Sequence, residues 1–304
     1  MRRTDRAFFE HRPGSAPLKI DTTHLVLRHE DTQLTLDAAR GGAIREFSWR
    51  DRAIFRPTPC GAGTDPFALA CFPMVPYANR IAHGRFNFGA RAVHLKRNWG
   101  EDPHPLHGQG WRSPWQVCAA TASSALLMVE GGADEWPWRY LAEQQLQLSR
   151  SALSIRLSIE NLAQSPMPVM LGLHPYFCDP DQAQLQARTP SVWLTDKASL
   201  PTEEVSTPLD WTFDRARLIT AVPLDHCFTH WNGTAVIRWP DLRVDIRATN
   251  CSFLHVYAPP SRDFFCVEPL SAAAGALNRN RNEATVVEPG ARFEIQVSFA
   301  VGAA

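Results

Sequence analysis

The sequence has no net charge: Lys and Arg together number 31, and Asp and Glu also number 31. That balance removes the broad field that draws in nucleic acid or anionic lipid, so neither is expected as a partner. No apolar run comes near the roughly 18 to 20 residues that a bilayer span needs. The first residues, MRRTDRAFFEHRPG, put basic side chains ahead of no apolar stretch, so no secretory signal is read and a cytoplasmic address is expected. The seven cysteines, at 60, 71, 118, 178, 227, 251 and 266, are odd in number and form no C-x-x-C. This argues against a disulfide framework or a zinc knuckle, and they are read as reduced, mostly buried small hydrophobes. A phosphate loop is missing too: Gly41-Gly42 is followed by neither G-x-G-x-x-G nor a P-loop lysine, and reads as a turn.

Helix signal is equally thin. There are 24 prolines in 304 residues, above the average near 5%, and no long stretch keeps an i, i+3, i+4, i+7 stripe. Ser271 to Leu277 could form a short helical turn and no more. What is present is period-two alternation, clearest in Leu153, Ile155, Leu157 and Ile159 with polar residues between them. Tyr140 to Leu148 precedes it, and Ser149-Arg150-Ser151 has the composition of a hairpin connection. The same pattern recurs over Leu25 to Leu36, at Leu242/Val244/Ile246 and at Phe293/Ile295/Val297/Phe299. With 44% hydrophobic residues the chain can bury a large core, and strands spread from about residue 20 to about residue 300 without linker or repeat. The reading is an all-β chain, a large antiparallel β-sandwich over residues 21–304 with residues 1–20 as an N-terminal arm.

Four segments break the alternation by placing polar, chemically useful side chains among Gly, Pro and aromatics. They are Phe72 to Ile81 with Gly84, Pro105-Leu106-His107-Gly108, Gly172 to Phe177, and Cys266-Val267-Glu268-Pro269. Asn79-Arg80-Ile81 with Gly84, Leu106-His107-Gly108, His174-Pro175-Tyr176-Phe177 and Glu268-Pro269, in this order, resemble the aldose 1-epimerase (galactose mutarotase) family from about residue 34 to the end. Leu224-Asp225 leading to Phe228 is similar to that family's acidic sugar-binding position.

The resemblance implies the galactose mutarotase-like supersandwich and the interconversion of the α and β anomers of a free aldohexose by ring opening and closure. It gives Glu268 as base and His174 as acid, and His107, Arg80, Asn79, Asp225 and the aromatic wall of Tyr176 as sugar-binding residues. It implies a sugar as the partner, a monomer or homodimer, and neither metal nor other cofactor. Ring opening asks for an acid and a base on opposite sides of the anomeric centre. Ordinary pKa values, about 4.3 for Glu and 6.5 for His, make Glu268 an anion that helps keep His174 protonated, with partial burial opposing both charges. A bell-shaped pH profile follows.

Other readings stand beside this one. A hexose-6-phosphate 1-epimerase of the same fold would add arginines at the rim, for which Arg85 and Arg91 are candidates. A noncatalytic carbohydrate-binding or sensing protein would keep the pocket alone. His104/His107 and His226/His230 have metal-like spacings but no H-E-x-x-H character, and Arg80 could equally be an ion-pair residue that ties down a loop. Trp136 and Trp138 read as core or rim. Leu270-Ser271 and Gln109-Gly110-Trp111 depart from the familiar family pattern beside the proposed pair, which puts the choice of sugar in doubt.

Overall fold

The Leu153–Ile159 alternation becomes the second strand of a hairpin. Tyr140–Ser149 and Ala152–Asn161 pair antiparallel, with Leu146 opposite Ile155 and Leu148 opposite Leu153. All four alternating residues are buried, whereas Ser154, Arg156 and Glu160 are partly or fully exposed. Burying one such side chain is worth about 1.5–3 kcal/mol, so a one-residue slip that turned the set outward would lose several times that amount. The structure, a computed structural model, describes residues 24–133, 135–260, 263–279 and 283–304. The expected arm, residues 1–20, lies outside the described residues.

Two antiparallel sheets form the body. An eleven-stranded sheet runs from Leu25–His29 through Thr32–Asp37, Ala43–Trp49 and Arg52–Phe55 to Gly172–Cys178, Phe264–Leu270, Phe253–Ala258, Leu224–Thr229, Ser191–Thr195 and Pro201–Ser206; Cys71–Met74 pairs with Gly172–Cys178 and Ala43–Trp49. A nine-stranded sheet runs from Phe213–Leu218 through Gln184–Ala187, Thr234–Arg238, Arg243–Thr249, Arg292–Gly302, Ala152–Asn161, Tyr140–Ser149 and Ser124–Gly131 to Gln116–Ala120. The sheets share one core: Phe55 of the larger meets Phe299 of the smaller edge to face at 5.0 Å, and Phe177 at 5.3 Å. This is the all-β sandwich expected. Helix among the described residues is limited to three-residue 3₁₀ turns, one of which, Ala276–Asn278, ends the stretch where a short helical turn was expected. No helix there is long and apolar enough to cross a membrane.

Trp136 and Trp138 are core residues. The seven cysteines are all free, with Cys71, Cys227, Cys251 and Cys266 buried. The Gly41-Gly42 turn has both residues in the left-handed region, and a Cβ on Gly41 would fall 2.1 Å from the Trp111 carbonyl oxygen. Only glycine fits there.

Strand parity divides the large sheet into two faces. Leu173, Phe177, Phe265, Val267, Leu254, Val256 and Phe228 turn into the sandwich core. Their neighbours Tyr176, Cys266 and Cys227 turn the other way, into a second apolar cluster with Phe72 and Trp111. Both faces are therefore covered, and these strands read as continuous apolar runs instead of alternating ones.

Candidate active site

On this second face the ladder registers put a row of side chains across adjacent strands. Phe72 pairs with His174, His255 with Glu268, Cys227 with His255, and Trp193 with Cys227. The pairings Gly172 with Leu270 and Tyr176 with Cys266 bring His174 level with Glu268. A carboxylate thus stands between two imidazoles, with His174 Nε2 3.5 Å from Glu268 Oε1. His255, on the other side, gives its Nε2 to Asp225 Oδ1 at 2.9 Å.

His174, Glu268 and His255 of this row line a cavity of about 500 Å³, within the ~300–1,000 Å³ range of small-molecule sites. All seven residues expected from the sequence, Glu268, His174, His107, Arg80, Asn79, Asp225 and Tyr176, line it. It also takes in His255, Arg56, Phe67, Tyr257 and Phe264, which the sequence reading did not single out. Ring faces and hydrogen-bonding groups thus surround one space, the mixture that holds a sugar with its apolar faces and polar edges.

Loops supply the wall. Asn79 and His107 clamp each other: the Asn79 amide donates to His107 Nδ1 at 3.1 Å, and the His107 amide donates to the Asn79 carbonyl at 3.1 Å. With Nδ1 an acceptor, the ring proton of His107 sits on Nε2. Both residues have left-handed backbones, φ 61° and 57°, strain that the clamp holds in place. Gly108 beside them has φ +72°, and a Cβ on it would fall 2.3 Å from the Val75 carbonyl oxygen. Asn98 braces the loop from below by donating to the Leu106 and Gly108 carbonyls and accepting from the Leu106 amide. Arg80 Nε pairs with Asp102 at 3.2 Å, the ion pair offered as an alternative for it, and the residue also lines the cavity. The Arg56 guanidinium lies 4.4 Å from the ring centre of Tyr176 and 4.6 Å from that of Phe264, and donates to the Phe67 carbonyl. Tyr176 in turn stacks on His174 at 4.7 Å.

The charges differ from those that ordinary pKa values give. Burial pushes His174 down to about 3, helped by the nearby His255 charge, and burial pushes Glu268 up to about 7, with His255 pulling the other way. His107 is also held well below its usual range by burial. His255 is the exception: burial opposes its charge, but Glu268 and Asp225 together outweigh it and raise it well above the usual value. Burial likewise works against the Asp225 anion, yet the His255 hydrogen bond and charge bring it down to about 2. The cationic imidazole in this site is therefore His255, and His174 is neutral. His174 and Glu268 also stand side by side instead of on opposite sides of a sugar. The two oxygens that exchange protons in ring opening share one carbon, so neighbouring groups reach both.

Several other expectations change. Arg85 and Arg91 lie exposed on a separate hairpin, Arg85–Phe88 with Arg91–His94, and neither lines the cavity. Leu270, Ser271, Gln109, Gly110 and Trp111 do not line it either: Trp111 packs beneath His107, and Ser271 Oγ accepts from the Leu171 amide. The unfamiliar residues lie behind the site, where they support it. Asp225 already gives one oxygen to His255 and the other to Ser199 Oγ at 3.2 Å, which leaves one lone pair on each for a ligand.

His104 accepts the His83 amide on Nδ1, and His226 stacks on Trp211 with its Nδ1 donating to the Trp193 carbonyl. His174, Cys266 and Glu268 have ligand atoms within 4.8 Å of one another, and burial raises the Cys266 thiol well above its usual range.

The sequence profile described as aldose 1-epimerase matches residues 24–300. The uncharacterized protein YphB of Escherichia coli K12 is 30% identical over 282 residues, 88% of this chain and 96% of that protein. The uncharacterized YihR of the same organism is 26% identical over 219 residues, 67% of this chain and 70% of that protein. Among solved structures, an Escherichia coli K12 protein described as a proposed aldose 1-epimerase superposes with TM-score 0.86 at 27% identity, covering 93% of this chain and 99% of that one. A galactose mutarotase-like protein from Clostridium acetobutylicum has the same fold, with TM-score 0.81 at 16% identity and coverage of 92% and 95%. With a profile match over nearly its whole length and a cavity that gathers all four sequence signatures, this chain belongs to the aldose 1-epimerase family.

Proposed function

We propose that the protein is a cofactor-independent aldose 1-epimerase that interconverts the α and β anomers of a free aldohexose. The observation that carries this reading is the Glu268–His174 contact of 3.5 Å on the floor of a sugar-sized cavity. Ring opening moves one proton off the C1 hydroxyl and one onto the ring oxygen while the C1–O5 bond breaks and a C1 carbonyl forms. The free aldehyde then turns about C1–C2, and the ring oxygen closes on the other face with the protons returned. No atom is lost and no electron leaves the sugar, so an acid and a base suffice.

Between a His174 value of about 3 and a Glu268 value of about 7, the pair holds one proton, which burial places on Glu268. One partner can then accept the C1 hydroxyl proton while the other supplies the ring oxygen, and the roles reverse on closure. His107, through its Nε2 proton, Arg80, Asn79 and Asp225 would take the hydroxyls, and Tyr176 and Phe264 would border a ring face. Arg85 and Arg91, the two arginines offered for a phosphorylated sugar, do not line the cavity.

The test is polarimetry of freshly dissolved α-glucose and α-galactose with the wild-type protein, Glu268→Gln and His174→Asn. Acceleration by wild type, lowered at least about 10²-fold in both variants, is expected. Sugar binding without acceleration by wild type would replace this reading with the noncatalytic one.

A further inference from the structure

Glu268 has a histidine on each side, but the two histidines are held differently. Among the described residues His174 is paired with no second carboxylate, and its Nδ1 is buried without a partner. His255 sits opposite Glu268 in the strand ladder, and its Nε2 is fixed at 2.9 Å by Asp225, which Ser199 Oγ secures from behind at 3.2 Å. Three strands and the bend that carries Ser199 converge to place this one ring.

We propose that His255, anchored by Asp225, is a positioning residue that sets a fixed positive charge beside Glu268. This rests on the epimerase reading for its purpose, because it governs whether the acid–base pair keeps its proton. It does not rest on that reading for its measurement. An adjacent cation favours the ionised carboxylate, and an anchoring anion keeps the cation charged. Asp225, His255, Glu268 and His174 thus form an alternating series in which a charged pair adjoins a pair that shares a proton.

The other groups that face Glu268 leave this role to His255. His107, Cys71, Cys266 and Tyr176 are held neutral by burial. Arg56 lies on the Tyr176 and Phe264 rings, and Arg80 is paired with Asp102. Asp65 and Tyr257 complete the ionisable lining. Neither Arg56 nor Arg80 is on a strand next to that of Glu268, whereas His255 is its cross-strand neighbour.

The experiment is a pH titration of protein carrying ¹³C-labelled glutamate carboxyls, with the Glu268 resonance assigned by its loss in Glu268→Gln. In His255→Gln the Glu268 midpoint should rise by about one unit, a tenfold drop in its ionised fraction on the acid side of the midpoint and a tenfold rise in its protonated fraction on the alkaline side. The alkaline limb of kcat/KM should rise with it. Asp225→Asn should give a smaller rise, because losing that anion partly offsets the weakened imidazolium, and it serves if His255→Gln does not fold. A Glu268 midpoint that stays within about 0.3 units of wild type, or falls, in a folded variant overturns the proposal. Wild-type protein without mutarotase activity would defeat the functional reading, and the carboxyl titration would still decide this one.

Discussion

His174 Nε2 and Glu268 Oε1 lie 3.5 Å apart with their usual proton affinities inverted: the imidazole is pushed to about 3 and the carboxyl to about 7. The pair is therefore uncharged at mildly acidic pH and becomes anionic as pH rises through the upper value. Mutarotation should follow, with kcat/KM highest between these limits, falling on the alkaline side as the shared proton leaves and on the acid side as a second one enters. Initial rates in buffers from pH 3 to 9 check this, and an activity independent of pH would contradict it.

The same inversion acts on folding. Glu268 rises from 4.5 to about 7, so the native state keeps a proton that the unfolded chain releases, and the associated stability is present below 4.5 and lost as pH rises to about 7. His174 falls from 6.5 to about 3, so its contribution is present above 6.5 and lost as pH falls toward 3. Glu268→Gln should abolish the first loss. Relative to wild type it gains stability between pH 5 and pH 8 by up to roughly 3 kcal/mol, read from urea denaturation at the two values.

Gly108 offers a test of the loop clamp. Gly108→Ala must place a methyl on the Val75 carbonyl at a left-handed position. It should cost about 2 kcal/mol or more and, by displacing His107, raise KM more than it lowers kcat. Thermal melts and saturation kinetics measure the two effects, and unchanged values for both would mean that the loop yields freely.

Phe55 is the opposite case. It fills the space between the sheets against Phe177 and Phe299 and is fully buried. Phe55→Ala should cost roughly 3–5 kcal/mol while leaving kcat near wild type wherever the variant is folded, as a denaturation curve alongside activity at low temperature would reveal.

The legibility of the sequence followed the exposure of each strand. Leu153 to Ile159 could be read because one face of that strand meets solvent, so its period shows. Phe264 to Val267 and Phe253 to Val256 are covered on both sides, and no period marks which residues belong to the site. Glu268, His174, His107, Arg80, Asn79, Asp225 and Tyr176, which line one cavity, could be picked out because they lie in or beside short motifs. His255 lies in the plain run Phe253-Leu254-His255-Val256-Tyr257, and what gives it meaning is its register against Glu268 and its reach to Asp225, both long-range facts. A histidine among apolar residues of a strand just ahead of the Glu268 strand was the one available hint. The protonation states escaped for the same reason: ordinary pKa values describe solvated groups, and His174 and Glu268 are not solvated.

Since neighbouring residues of the Gly172–Cys178 and Phe264–Leu270 strands look in opposite directions, durability and chemistry are encoded by interleaved letters of the same few words. Selection can then retune the lining of the cavity by editing every other position, without reopening the contacts that keep the chain folded.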